Sequence, residues 1–313
     1  MRDLESRSAG ETGAILVVGA RGQLGLELCR SLALLGRVVA VGRDTCDLAS
    51  AEQIVATVRS VKPRVIVNAG GYTAVDAAET SPELAHAVNA VAPGLLAAEA
   101  KALGGLMIHY STDYVFDGAK AGPYVEDDAT APLSVYGRSK LDGEIAVQNV
   151  AVAHWIFRTS WVFGLQGGNF LKSIARAARS RTSLSVVADQ VGAPTPASLM
   201  AEVTAFAVHQ YLNSASPMPS GVYHLAAQGE TNWHGYARHI VETLAAAGVP
   251  LAVKPEDVLP IAAADYGSAA ARPANSRLDT SKLRAALNID LPDWREGVDR
   301  ALAEFVEGHR LLG

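Results

Sequence analysis

Along the first half of the chain a unit repeats: a short apolar run, a turn, then a stretch with apolar residues at helical spacing. Residues 14–18 form the first run. Glycines follow, and residues 24–35 carry the helical spacing, with Gly36 where a helix C′ glycine belongs. Residues 37–41 read as the next strand, 51–61 as a helix and 65–68 as a buried strand. Ser81-Pro82-Glu83 offers an N-cap serine, a proline at N1 and an acid in the first turn, so a helix is expected from there to about residue 103. Residues 106–111 read as another strand, 117–133 as a long loop rich in Gly, Pro and Asp, and 135–149 as a helix. Strands alternating with helices predict parallel β-α-β units, hence an α/β fold with a Rossmann-like, doubly wound parallel sheet.

Beyond about Gly164 the order loosens. Helical stretches at 169–179, 197–211, 232–247, 281–287 and 294–307 are separated by loops bearing Pro and Gly. The expected division is a polar N-terminal extension over residues 1–13, a mainly dinucleotide-binding domain over 14–164, and a smaller, mainly substrate-binding lobe over 165–313 whose chain crosses back to the main domain. The 313 residues, 49% of them hydrophobic, supply ample core. A net charge of −5 without a Lys/Arg run sets nucleic-acid binding aside. No segment has the roughly 18 apolar residues a membrane span needs, and residues 1–12 lack the apolar stretch of a signal peptide. Cys29 and Cys46 alone give no disulfide framework, which fits a reducing cytoplasm. Neither they nor the eight histidines show metal-ligand spacing.

The chemistry-bearing residues fall at the expected strand ends. Gly19-Ala20-Arg21-Gly22-Gln23-Leu24-Gly25 lies between the first strand and the first helix, where glycines let the backbone approach a pyrophosphate and a helix N-terminus offers free N–H groups. After the second strand the chain reads Val41-Gly42-Arg43-Asp44. An arginine there suits a 2′-phosphate and favours NADPH, although Arg43 reads nearly as well as a solvated charge on a turn. Asn68-Ala69-Gly70-Gly71 ends one strand and Ser111-Thr112-Asp113-Tyr114 follows another; a ligand site or a simple turn accounts for either. Tyr136 and Lys140 share a helix face at i, i+4 spacing. An ammonium beside a phenol would lower the tyrosine pKa from about 10 and make Tyr136 a better acid, while an ordinary exposed pair stays open.

Taken together these pieces resemble the extended short-chain dehydrogenase/reductase family over residues 15–311. Four blocks narrow the likeness: 68–79, 109–116, 157–162 and 189–195, which begin Asn68-Ala69-Gly70-Gly71, His109-Tyr110-Ser111-Thr112, Phe157-Arg158-Thr159-Ser160 and Asp189-Gln190-Val191-Gly192. They are closely similar to the dTDP-4-dehydrorhamnose reductase branch, which completes bacterial dTDP-L-rhamnose synthesis. The resemblance implies reduction of the C4 keto group of a dTDP-sugar by NADPH, with NADH as alternative. It assigns Tyr136 as proton donor, Lys140 to the nicotinamide ribose, Thr112 to the reacting carbonyl, and Asp113 and Trp161 to the sugar. Gly19, Gly22, Gln23, Leu24, Gly25, Arg43, Asp47, Leu48, Ala69, Gly70, Gly71 and Tyr110 would line the cofactor together with Tyr136 and Lys140, Asp47 and Leu48 lying along the adenine.

There are departures. Gly70-Gly71 stands where the branch often has Ala-Ala. The carboxylates that hold an interfacial Mg²⁺ in some members fall on Glu27, Ser198 and Glu304, and Ser198 breaks that set, so no metal is expected; a homodimer stays open. Rival readings are another nucleotide-sugar epimerase or 4,6-dehydratase of the same fold, and a non-catalytic cofactor-binding regulatory subunit. Tyr114 stands where a dehydratase has a glutamate, and intact Gly19, Gly22, Gly25, Thr112, Tyr136 and Lys140 favour catalysis.

Overall fold

Six short segments, apolar for most of their length, form one parallel sheet in the computed structural model, which describes residues 13–312 and their side chains through residue 307. The extension expected over residues 1–13 lies, Gly13 apart, outside the described residues. In chain order the strands are β1 (Ile15–Val18), β2 (Val38–Val41), β3 (Val65–Asn68), β4 (Leu106–Thr112), β5 (Ala153–Thr159) and β6 (Gly221–His224). Across the sheet they run β6-β5-β4-β3-β1-β2, each parallel to its neighbours. The order reverses between β1 and β3, and open sheets of this kind bind ligands in the crevice outside the strand C-termini at such a reversal.

Side-chain alternation splits the core into two layers. Ile15, Val17, Val65, Val67, Leu106 and Ile108 face a layer that includes Leu28 and Leu32 of α1 (Gln23–Leu32). Leu16, Val18, Ile66 and Met107 face the other, which includes Ile54 and Val58 of α2 (Ala51–Val61). The second layer also holds Leu96, Ala97 and Ala100 of the long helix α3, residues 82–102, whose middle (Ala87–Val91) widens into a π-turn. Each fully buried Leu or Ile contributes roughly 1.5–3 kcal/mol, so these layers hold the strand ends firmly.

Local signals set the helix boundaries. Ser50 caps α2 by accepting from the Gln53 N–H, and Ser134 caps α4 (Val135–Asn149) by accepting from the Gly137 N–H. Ser81 occupies the expected N-cap of α3, but its side chain makes no cap hydrogen bond there. The C-terminal half contributes α5 (Phe170–Ser180), α6 (Ala197–Asn213), α7 (Trp233–Ala246), α8 (Ser281–Leu287) and α9 (Trp294–Leu312). Among the described residues no helix is long and apolar enough to cross a membrane.

Two strands, β5 and β6, are not legible as strands in the apolar pattern. β5 carries Arg158 in its buried stretch, where the guanidinium forms a bidentate pair with Glu144 of α4 (Nη2 to Oε2 2.7 Å, Nε to Oε1 3.0 Å). Removing one partner from such a buried pair typically costs about 3–5 kcal/mol, so the pair fixes α4 against the sheet.

Candidate active site

A cleft of about 780 Å³ opens at the strand reversal. Gly19, Gly22, Gln23, Leu24, Arg43, Asp47, Leu48, Ala69, Gly70, Gly71, Tyr110, Thr112, Asp113, Tyr136, Lys140 and Trp161 all line it. Gly25 lies just beneath, where a Cβ would collide with the Gly19 carbonyl oxygen, so only glycine lets α1 start this close under the loop. Gly19 has φ +77°, and a Cβ on it would sit 2.5 Å from the Gly70 Cα. The two glycine segments therefore approach backbone to backbone, leaving a shallow cradle. Gly22, the N-cap of α1, offers no side-chain acceptor, so the first-turn N–H groups keep their capacity for an anion. This cradle fits the pyrophosphate of a dinucleotide.

At the adenosine end Arg43 is exposed and lines the cleft. The acid beside it, Asp44, is held by Arg21 at 2.7 Å. A free cation with its neighbouring carboxylate engaged elsewhere favours a 2′-phosphate over a bare 2′-hydroxyl. Asp47 accepts from the Ala49 N–H, and the Gln23 carboxamide oxygen accepts from the Gly164 N–H and the Asn169 amide. Gln23 thus fastens the glycine loop to the loop leading into α5.

At the other end β4 and α4 present Thr112, Asp113, Tyr136 and Lys140. Tyr136 is partly accessible from the cleft, yet protein crowds its phenol enough that burial pushes its pKa up to about 12, opposed by a hydrogen bond with Thr112. This differs from the expectation of a Tyr136 pKa lowered by Lys140: burial sets the direction, the Asp113 charge adds to it, and the lysine, whose own pKa burial pushes down to about 8, does not reverse it. Lys140 is buried and donates to the Tyr110 carbonyl at 2.5 Å. Tyr110 serves through that carbonyl, because its hydroxyl pairs with Thr204 Oγ1 at 2.7 Å. Asp113 is buried; Oδ1 accepts from the Thr112 hydroxyl at 3.1 Å, while Oδ2 and the neighbouring Ser111 Oγ are buried with no partner among the described residues. Two orphaned polar atoms beside the acid–base pair fit a hydroxyl-rich ligand.

Trp161 sits at φ 49°, a left-handed conformation that costs a bulky residue of order 1–3 kcal/mol and persists only where the surroundings enforce it. Here its carbonyl accepts from the Thr195 N–H and its ring stacks on Trp233 at 3.7 Å. Trp233, Met200 and Arg272 line the cleft from the C-terminal half and escaped the sequence reading. Ser276, whose hydroxyl works to lower the Asp113 pKa, escaped it too. Asn89 of the π-turn was also missed; it clamps the Gly70–Gly71 loop to α4 through Tyr72 N (2.8 Å), Tyr72 O and Ser139 Oγ (both 3.0 Å).

A family model described as the RmlD substrate binding domain matches residues 13–307. The chain belongs to this family. Among its relatives, the dTDP-4-dehydrorhamnose reductase of Burkholderia thailandensis is 48% identical over 93% of this chain and 99% of its own length. That of Escherichia coli K12 is 47% identical over 93% and 97%. A Bacillus anthracis dTDP-4-dehydrorhamnose reductase solved in complex with NADP superposes with a TM-score of 0.84 at 31% identity, over 94% of this chain and 100% of that one. Glu27, Ser198 and Glu304, the positions of the broken metal set, line a separate cavity of about 620 Å³ on this RmlD-family chain. Among the described residues no group of three His, Cys, Asp or Glu stands close enough to hold a metal.

Proposed function

We propose that this protein reduces the C4 keto group of dTDP-4-dehydro-β-L-rhamnose to the alcohol of dTDP-β-L-rhamnose, using NADPH, with NADH as a second donor. The observation that carries the reading is the convergence of Tyr136 and Thr112 with buried Asp113 and Lys140 in one cleft that also takes in the glycine cradle.

When bound, the reduced nicotinamide supplies a hydride from its C4. The chain supplies the rest. Thr112, turning its hydroxyl from Asp113 Oδ1 to the substrate, donates a hydrogen bond to the carbonyl oxygen and polarises it. Tyr136, fully protonated at neutral pH because burial holds its pKa near 12, gives its proton to O4 as negative charge develops there. Lys140, in its charged form, holds the ribose hydroxyls and favours charge on the phenol oxygen left behind. Asp113 accepts from sugar hydroxyls and the strained Trp161 ring packs against the sugar face, which together orient the keto carbon. Gly19, Gly22, Gln23, Leu24 and Gly25 hold the pyrophosphate, Arg43 the 2′-phosphate, Asp47 and Leu48 the adenine side, and Ala69, Gly70, Gly71 and Tyr110 the remainder of the cofactor.

Residues 14–164 would then form mainly the dinucleotide domain and 165–313 mainly the sugar-side lobe, with β6 crossing back into the sheet. Two free cysteines, Cys29 and Cys46, fit a cytoplasmic location. The test is absorbance of NADPH and NADH in the presence of dTDP-4-dehydrorhamnose, with the product checked for rhamnose. Consumption of either with formation of dTDP-rhamnose is expected; no consumption with this sugar overturns the reading.

A further inference from the structure

A line of buried polar groups runs behind the cleft, from Asn68 at the end of β3 through His109 on β4 to Lys140 on α4. Asn68 and His109 are both wholly inaccessible. Asn68 Oδ1 accepts from the Gly70 N–H at 3.1 Å, so its Nδ2 is the atom that faces His109 Nδ1, at 3.2 Å. An amide NH₂ only donates, so Nδ1 must accept, and the single proton of the neutral ring then sits on Nε2. Nε2 faces Lys140 Nζ at 3.4 Å. An ammonium there would set N–H against N–H. A neutral amine instead accepts from the ring while still donating to the Tyr110 carbonyl.

We propose that His109 is a positioning residue for Lys140: locked by Asn68 with its proton on Nε2, it hydrogen-bonds to the lysine amine and favours the uncharged form. The inference rests on the reductase reading, since it concerns the lysine that reading uses.

The surroundings of Lys140 agree. From β4 it meets His109 and the Tyr110 carbonyl, with Asp113 just beyond the strand end. From its own helix it meets Tyr136 one turn before and Glu144 one turn after. Glu144 is the attractive charge, but it is already engaged by Arg158 of β5. From α3 comes the uncharged Asn89, which donates to Ser139 of α4, the residue before Lys140. His109 itself stays neutral, its pKa driven well below the ordinary value by burial and by the lysine charge. Among the described residues no carboxylate forms an ion pair with Lys140. Burial is the main reason Lys140 loses its proton near pH 8 rather than above 10, the relay acts in the same direction, and the alkaline limb of turnover should fall there.

Asn68→Asp tests this with almost no change of shape. An aspartate keeps the Gly70 bond and also accepts from Nδ1–H, so the ring proton moves to Nδ1 and the Nε2 lone pair faces an ammonium. His109→Phe keeps a ring but removes the Nε2 donor. In Asn68→Asp the alkaline limb of kcat/KM should move up by at least about one pH unit, a tenfold gain on the alkaline slope. In His109→Phe it should move in the same direction. A residue that merely fills space would leave the limb where it is. The readout independent of turnover is the side-chain ¹⁵N spectrum of the ligand-free protein, with His109 assigned by its loss in His109→Phe. Wild type should show Nε2 protonated and Nδ1 bare, and Asn68→Asp the reverse. A wild-type ring protonated on Nδ1, or limbs that coincide in wild type and Asn68→Asp, would overturn the proposal. If the wild type fails to turn over the dTDP-keto sugar, the reductase reading falls and the ¹⁵N result alone decides the tautomer.

Discussion

Replacing Asp113 by asparagine measures what the cleft costs the fold. Asp113 is 2% exposed, one of its carboxyl oxygens has no partner among the described residues, and burial pushes its pKa from 3.8 to about 6 against the opposing effect of the Ser276 and Thr112 hydroxyls. In the unfolded chain an aspartate titrates near 3.9. Below that pH both states are protonated and the group contributes nothing. Between about 4 and 6 the unfolded chain gives up a proton that the folded chain keeps, so stability falls as pH rises. Above 6 the loss levels off at about 3 kcal/mol, from two pKa units at about 1.4 kcal/mol each. Asparagine has the same shape and no charge, so it removes this loss. The variant should therefore be the more stable protein at pH 8, by up to about 3 kcal/mol or about 5 °C in Tm for a chain of this size, with the gap closing by pH 4. Turnover should drop at the same time, because the sugar loses a carboxylate acceptor. Scanning calorimetry of ligand-free wild type and Asp113→Asn at pH 4 and pH 8 reads the effect. A Tm difference that does not change between the two pH values, or a variant less stable at pH 8 than at pH 4 relative to wild type, would refute the reasoning.

Tyr136→Phe should lower kcat by about 10²–10⁴-fold with cofactor affinity nearly unchanged, read by steady-state kinetics and NADPH fluorescence; near wild-type turnover would remove the phenol as acid. Arg43→Ala should erode a preference for NADPH, measured as the ratio of kcat/KM for the two cofactors, and an unchanged ratio would make Arg43 a solvated surface charge. EDTA should leave turnover and sedimentation unaltered, because Ser198 puts a neutral hydroxyl between Glu27 and Glu304 where a hard cation wants carboxylates. Loss of activity or dissociation on chelation, reversed by Mg²⁺, would show that the two glutamates suffice.

The parts of this fold legible in the chain are those whose signals are local. The helices at 51–61 and 135–149 begin at serines that cap them, and residues 65–68 are apolar but for the terminal Asn68 because the strand is covered on both faces. β5 escaped because its buried Arg158 looks like surface until Glu144, fourteen residues earlier, is brought against it. β6 escaped because it is four residues long and follows a loop of Pro and Ser. The π-turn in α3 left no mark in a helix that reads as continuous, so Asn89 went unnoticed. On the dinucleotide side the site could be read because each group follows a strand, and strand ends are where such sheets bind. Trp233, Arg272 and Ser276 come from a half without that regularity, and only the packed structure brings them to the cleft. The Tyr136 pKa was misjudged for a related reason: helical spacing reveals the lysine beside it but not the burial that sets the direction of the shift.

The most direct test of the central claim is the fate of a labelled hydride. NADPH carrying deuterium at the transferable C4 position is incubated with dTDP-4-dehydrorhamnose and the protein, and the product is analysed by NMR. The account predicts dTDP-rhamnose with deuterium on C4 of the sugar, one label per NADPH oxidised, and no label when Tyr136→Phe is used over the same interval. NADPH oxidised without label on the sugar, or a product labelled at any other carbon, would contradict it.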